Sequence, residues 1–201
     1  MNSAETAPLA TTSRWATPTR WLHALVALTL TTQLVLSLLM VPPDELEGAS
    51  ALQQGAMEGH EVVGLVAAGV LLLHWLWLFM ARSDIKFSNL FPWSPSGIKR
   101  ILGELSYLFK HRKLPPVGEH GGLSGFVHGL GILIATLMAA TGVGLYVVMD
   151  FLGGFENPLF EEIAEVHGLF GNLMWVYLIL HALAAIWHEF MGERIFAGIR
   201  P

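Results

Sequence analysis

The sequence predicts an all-α fold, an integral membrane four-helix bundle with both termini cytoplasmic, and three observations carry that prediction. Of the 201 residues, 53% are hydrophobic and only 13% charged, against roughly 25% charged in an average soluble domain, and the mean hydropathy is +0.54. Four windows, about 18–41, 60–81, 126–149 and 165–190, are almost free of charge, and each is long enough to cross ~30 Å of hydrocarbon. The basic residues fall on one side of those spans only. Four spans, one long loop and short tails use up the length, so a single domain over 1–201 is expected.

The first span opens at Thr17-Pro18 and stops at Pro42-Pro43, where proline sets a helix start and then forbids its continuation. Its apolar stretch from Trp21 to Val41 is too long for a signal-peptide core and lacks a small-residue cleavage site, so a retained helix is expected. Orientation follows from the eleven lysines and arginines. Arg14 and Arg20 precede span one, Arg194 and Arg200 follow span four, and Arg82, Lys86, Lys99, Arg100, Lys110, Arg112 and Lys113 lie in the loop between spans two and three. The other two loops have no basic residue and carry Asp44, Glu45, Glu47 and Glu58, and Asp150, Glu156, Glu161 and Glu162. The positive-inside rule then puts both termini and the loop 82–125 of a multi-pass membrane protein in the cytoplasm. Trp15, Trp21, Trp75, Trp77, Trp93 and Trp187 cluster mostly at the same end, as an interfacial aromatic belt does. Within the loop, Gly97–Lys113 spaces Ile98, Ile101, Leu102, Leu105, Leu108 and Phe109 near helical period with basic residues between them. That is an amphipathic helix on the membrane lipid, resting on headgroups or serving as a partner platform or a lid over a quinone pocket.

Chemistry enters with the histidines. His23, His60, His74, His128, His167, His181 and His188 lie in or at the ends of spans, where an ionisable side chain is costly and usually functional. His60 and His74 are 14 residues apart in span two, as are His167 and His181 in span four. Fourteen residues come within roughly 40° of four full turns and rise ~21 Å, so each helix presents two histidines on one face at two depths. Gly64, Gly171, Ala27 and Ala185 follow His60, His167, His23 and His181 at four residues, leaving room for the edge of a flat macrocycle or for close helix packing. Zinc wants its ligands in one tight cluster. Histidines split between two levels on facing helices fit two haems, each iron held by two histidines with no position open for oxygen chemistry. With no cysteine in the chain, thiolate metal sites and covalent haem attachment are excluded. The same histidines also allow a proton or solute pathway.

Four segments in order carry a resemblance: Arg20-Trp-Leu-His23, His60-Glu-Val-Val-Gly64, Gly125-Phe-Val-His128, and His167-Gly-Leu-Phe-Gly171 running on to His181-Ala-Leu-Ala-Ala-Ile-Trp-His188. With the short basic tail Gly192–Pro201, nearly the whole chain resembles the bacterial cytochrome b-561 family and the related b-type subunits of membrane hydrogenases and formate dehydrogenases. The resemblance implies that span four supplies one ligand to each of two haem b groups. His60 and His167 then hold the outer iron, and His23 and His181 the inner one. His74 stands where simpler members carry arginine. The matched 14-residue spacings make His74 the rival of His23 for the inner iron; the resemblance favours His23 and leaves His74 beside a propionate or a quinone.

The expected function is electron transfer between the quinone pool and a redox partner, either a periplasmic protein at the acidic loops or a larger oxidoreductase complex, which the long basic loop favours. Homo-oligomers are compatible with this reading, and no nucleic-acid partner is expected. Arg20, His74, His128 and His188, with Glu189, are the further groups expected around the haems and the quinone. A self-sufficient oxidoreductase passing electrons from superoxide to quinone is the alternative.

Overall fold

A computed structural model of the chain describes residues 15–80, 82–113, 115, 122–193 and 195–201, and for Asp44 the backbone alone. Arg14, Arg194 and most of the stretch 114–121 lie outside the described residues. In chain order the helices are α1 (Thr17–Ser37), α2 (Ala51–Phe79), α3 (Phe87–Leu90), α4 (Pro95–His111), α5 (Gly122–Phe151), α6 (Pro158–Phe190) and α7 (Ile195–Ile199), with short 3₁₀ turns at Pro43–Gly48 and Gly154–Glu156. No strand occurs among the described residues.

α2, α5 and α6 are each long and apolar enough to cross a membrane. α1 is shorter and less apolar, broken by Thr29, Thr31, Thr32 and Gln33, and it is the packing that makes it the fourth member. Leu34 of α1, Leu71 of α2, Ile134, Ala135 and Met138 of α5 and Met174 of α6 form one buried cluster. Met174, 1% exposed, lies midway in sequence between His167 and His181, so this apolar layer separates the two histidine depths.

Three of the long helices run past the expected spans because their caps lie further out. α2 starts at Ala51 rather than near His60. There Ser50 and Gln53 form a reciprocal capping box that satisfies two otherwise unpaired backbone donors. α6 starts at Pro158, where the Asn157 side chain accepts from the Leu159 N–H at 3.0 Å. α5 runs from Gly122 to Phe151.

α1 packs on α2, α2 on α5 and α5 on α6. Among the described residues α6 has no comparable close packing with α1 or α2, so α2 and α6 face one another across the interior instead of touching along their length. α3 and α4 lie on α5, and α7 on α6 and α1. Gly125 and Gly129 of α5 abut the main chain of Asn89 and Leu90, where a Cβ would collide with backbone oxygens. The glycine of the Gly125-Phe-Val-His128 segment therefore seats the α3 turn.

Trp21, Trp93 and Trp187 are exposed as an interfacial belt requires. Trp75 and Trp77 instead pin helices together: Trp75 Nε1 donates to Thr136 Oγ1 at 2.9 Å and Trp77 Nε1 to Thr19 Oγ1 at 2.8 Å. Asp84, just past α2, accepts from the Ala16 N–H and the Thr19 hydroxyl and so anchors the start of α1. α4 is the amphipathic helix expected from the loop. It is capped by Ser94 and has no buried residue, with Ile98, Leu102 and Phe109 exposed.

Candidate functional site: two levels of histidines

The histidines gather at two levels. The upper level lies toward the α1–α2 and α5–α6 connections, where His60 of α2 and His167 of α6 meet across the bundle with ring centres 6.2 Å apart and planes at 88°. The lower level lies toward the chain ends. There His23 of α1 approaches His181 of α6 at 6.4 Å and His128 of α5 at 6.3 Å, while His128 and His181 are 5.0 Å apart. The ligand atoms of these three lie within 4.8 Å of one another, a tighter gathering than two per level.

These spacings can be tested against a bound metal. A metal–imidazole bond of about 2 Å puts the ring centre about 3 Å from the ion, so two imidazoles on opposite sides of one ion have centres about 6 Å apart. The His60–His167, His23–His181 and His23–His128 pairs meet that spacing; His128–His181 is too close.

The upper pair also lines a cleft walled by Leu30, Gln33, Leu71, Met138 and small residues such as Gly64, Ala67, Ala135, Ala139 and Gly142. Such a space, mostly apolar with few polar groups, has the lining of a site for an apolar ligand. Two polar atoms there, Gln33 Oε1 and His60 Nδ1, are buried with no hydrogen-bond partner among the described residues, which a closed apolar core avoids. Gln33 spends its amide on the His60 carbonyl, donated at 2.8 Å, and Gly64 is the clearance that admits it, since a Cβ there would strike Gln33 Nε2. Beside Gly171 the space is nearly open, and a Cβ there would only touch Met138. The more telling glycine is Gly142 of α5, whose added Cβ would come 3.2 Å from His167 Cε1. The sequence reading passed over it because it lies in a different helix from the histidine it serves.

At the lower level His128 Nδ1 lies 2.7 Å from the Ser124 carbonyl. A carbonyl only accepts, so Nδ1 carries the hydrogen and Nε2 keeps the lone pair. Tyr177 stacks on His181 at 5.4 Å and 13°, in a recess that Gly131 provides, and Trp15 leans on His128 and His23. Neither Tyr177 nor Gly131 stood out in the sequence, because an aromatic and a glycine on different helices share no periodicity. His74 is buried at 6% exposure with Nδ1 unpartnered among the described residues. Arg20, one turn before His23, donates to the Arg200 carbonyl at 2.8 Å and to Thr17, and its Nε is buried without a partner among the described residues. His188, about two turns past His181, lies 3.2 Å from the Glu193 carboxylate, and Glu189 accepts the Phe196 N–H; both contacts serve the turn into α7.

A bundle of apolar helices whose four long members bring histidines together at two depths is the construction of a membrane cytochrome of b type, in which iron is held through non-covalent haem. The family model described as prokaryotic cytochrome b561 matches residues 14–199. The chain belongs to the prokaryotic cytochrome b561 family and is a membrane b-type cytochrome, a haem b protein of electron transfer. No curated protein and no solved structure matches it.

Proposed function

We propose that the protein holds two b haems, one per histidine level, and passes electrons between the quinone pool and a redox partner on the far side of the bacterial inner membrane. The observation that carries this reading is the pair of ring spacings, 6.2 Å for His60–His167 and 6.4 Å for His23–His181, at levels 14 residues apart on α6. His60 and His167 would hold the upper group and His23 and His181 the lower one. The groups so held supply reversible one-electron chemistry at iron. The chain's own part would be to offer two histidines to each group within apolar surroundings and to set the two levels ~21 Å apart along the bundle. Arg20, with an unpaired Nε one turn from His23, suits a propionate at the lower level. His74 and His128 stand near enough to give a quinone hydrogen-bonding groups there.

The basic residues at the lower end support a cytoplasmic position for both termini and for the loop 82–125. Quinone would then meet the lower haem, and a periplasmic partner the upper one, beside the acidic loops. Cysteine probes in Ser83–Lys113 should react from the cytoplasmic side and probes in Pro43–Gly59 from the periplasmic side; the opposite pattern exchanges the two haems' sides. The deciding experiment is pyridine haemochrome analysis of the purified chain. Two non-covalent b haems per chain are expected; one per chain would remove a level, and none would end the reading.

A further inference from the structure

The histidines of the upper level differ in what holds their second ring nitrogen. His167 Nδ1 lies 2.8 Å from Thr141 Oγ1. The same hydroxyl lies 2.8 Å from the Leu137 carbonyl and 3.1 Å from the Met138 carbonyl of its own helix. The hydroxyl has one hydrogen; placed on the preceding turn of α5, as helical threonines commonly place it, it leaves the oxygen to meet His167 with a lone pair. His167 Nδ1 is then the donor, and Nε2 is left as the ring's one lone pair. One residue on, Gly142 keeps the ring's flank clear, for a Cβ there would stand 3.2 Å from Cε1, the carbon between the two nitrogens. His60, across the cleft, has no such arrangement: its Nδ1 is buried without a partner among the described residues, and Gln33 holds only its backbone carbonyl.

We propose that Thr141 is a positioning residue for the upper haem. It fixes the tautomer and ring plane of His167 so that Nε2 faces the iron, and Gly142 supplies the clearance this requires. The inference rests on the ligand reading above, with His167 as an axial ligand. An outer partner that accepts from a ligating imidazole raises the ligand's basicity, and its removal typically weakens metal binding 10–100-fold. A more basic ligand favours the ferric state, so loss of the acceptor raises the potential of that haem alone. Threonine suits the task because it donates to its own helix and so has only lone pairs to offer the imidazole; valine keeps the shape and loses the acceptor.

The test uses the full-length cytochrome in detergent, with Thr141→Val, Thr141→Ser, Gly142→Ala and His167→Ala beside the parent. Haem release to an excess of a haem-scavenging protein, redox titration and low-spin ferric EPR are read for each. Thr141→Val should release one of its two haems about 10–100-fold more readily, with an upward shift of that haem's potential and changed g-values, the other haem staying as in the parent. Thr141→Ser should restore all three readouts. Gly142→Ala should change the same haem's EPR signal with the threonine intact. A Thr141→Val protein that matches the parent throughout, while His167→Ala loses a haem, overturns the role of Thr141 and leaves the ligand reading standing. Equal defects in Thr141→Ser and Thr141→Val overturn it too, since they would make shape, not the acceptor, what matters. Retention of both haems by His167→Ala overturns the ligand reading and the inference with it.

Discussion

The upper and lower levels rest on the same spacing, 14 residues on α2 and 14 on α6, yet they are built differently. At the upper level one histidine from each of those helices reaches across the interior, and α5 contributes small residues that leave a cleft. At the lower level the ring approaching His181 comes from α1, and a third histidine joins from α5, amid Trp15 and Tyr177. The second histidine of α2 is buried nearby but does not repeat what His60 does. The difference teaches that helical periodicity fixes the depth of a side chain without fixing its partner. α2 and α6 do not pack closely along their length, so a pair that faces at one depth need not face ~21 Å further on, where α1 fills the approach.

The sharpest way to break this comparison is to remove ligands one at a time. His60→Ala and His167→Ala should each lower the haem content from two per chain to one and lose the same haem, because an iron with one axial nitrogen is held poorly. His181→Ala should lose the other. The lower level then offers three further substitutions. His23→Ala should lose the lower haem. His74→Ala should keep both haems and shift a potential or slow quinone turnover. His128→Ala should also keep both, since its 5.0 Å approach to His181 is too short for the two to straddle one metal. Spectral haem counts on the purified variants check all six. A His128 variant that loses a haem while His181→Ala keeps two would make His23 and His128 the pair, which their 6.3 Å spacing permits.

The bundle, its two histidine depths and the amphipathic helix were legible in the sequence, since each is a local pattern: a long apolar run, a 14-residue spacing, or charge alternating with leucine and isoleucine. What escaped lay between helices. Thr141 and Gly142 serve a histidine more than 20 positions away, Gly131 makes room for Tyr177, and Asp84 ties down the start of α1 from 65 residues beyond Thr19. None of these pairings leaves a periodic trace. The full helix lengths escaped for a related reason: hydropathy marks the apolar window, whereas Ser50 and Asn157 cap helices that continue beyond it. Gly142 escaped because a glycine one turn from its histidine, such as Gly171, is easier to notice than one on another helix.

A smaller effect should sharpen the contrast from the lower side. Gly131 gives way to the Tyr177 ring, and Tyr177 stacks on His181. Gly131→Ala forces that ring to move, and overpacking of this kind costs about 1–3 kcal/mol. The lower haem's absorption and potential should change while the upper haem's do not, and the midpoint of thermal haem loss should fall by about 2–4 °C per kcal/mol for a chain of this size. Equal disturbance of both haems would mean that the levels are coupled through α6 and that the Met174 layer does not insulate them.

The smallest effect concerns what covers the lower level from outside the bundle. α4 has no buried residue of its own and is tied to α5 through Glu104. That carboxylate accepts the Leu123 N–H at 2.7 Å, capping α5 from another helix, and pairs with Arg100 at 3.1 Å. Gly122 lies against it at φ +67, a conformation that favours glycine, in a place where a side chain would meet the carboxylate. Glu104→Gln keeps an acceptor but loses the charge that favours a helix N-terminus, about 0.3–1 kcal/mol. Glu104→Ala loses the cap as well, about 0.5–2 kcal/mol. Neither should change haem content or either potential, because Glu104 reaches no histidine and His128 keeps its own bond to Ser124. Both should raise protease cleavage between α4 and α5, alanine more than glutamine. Unchanged cleavage in Glu104→Ala would show that lipid alone holds α4; a shift in the lower haem's potential would show that the α5 N-terminus, and through it His128, takes its position from α4.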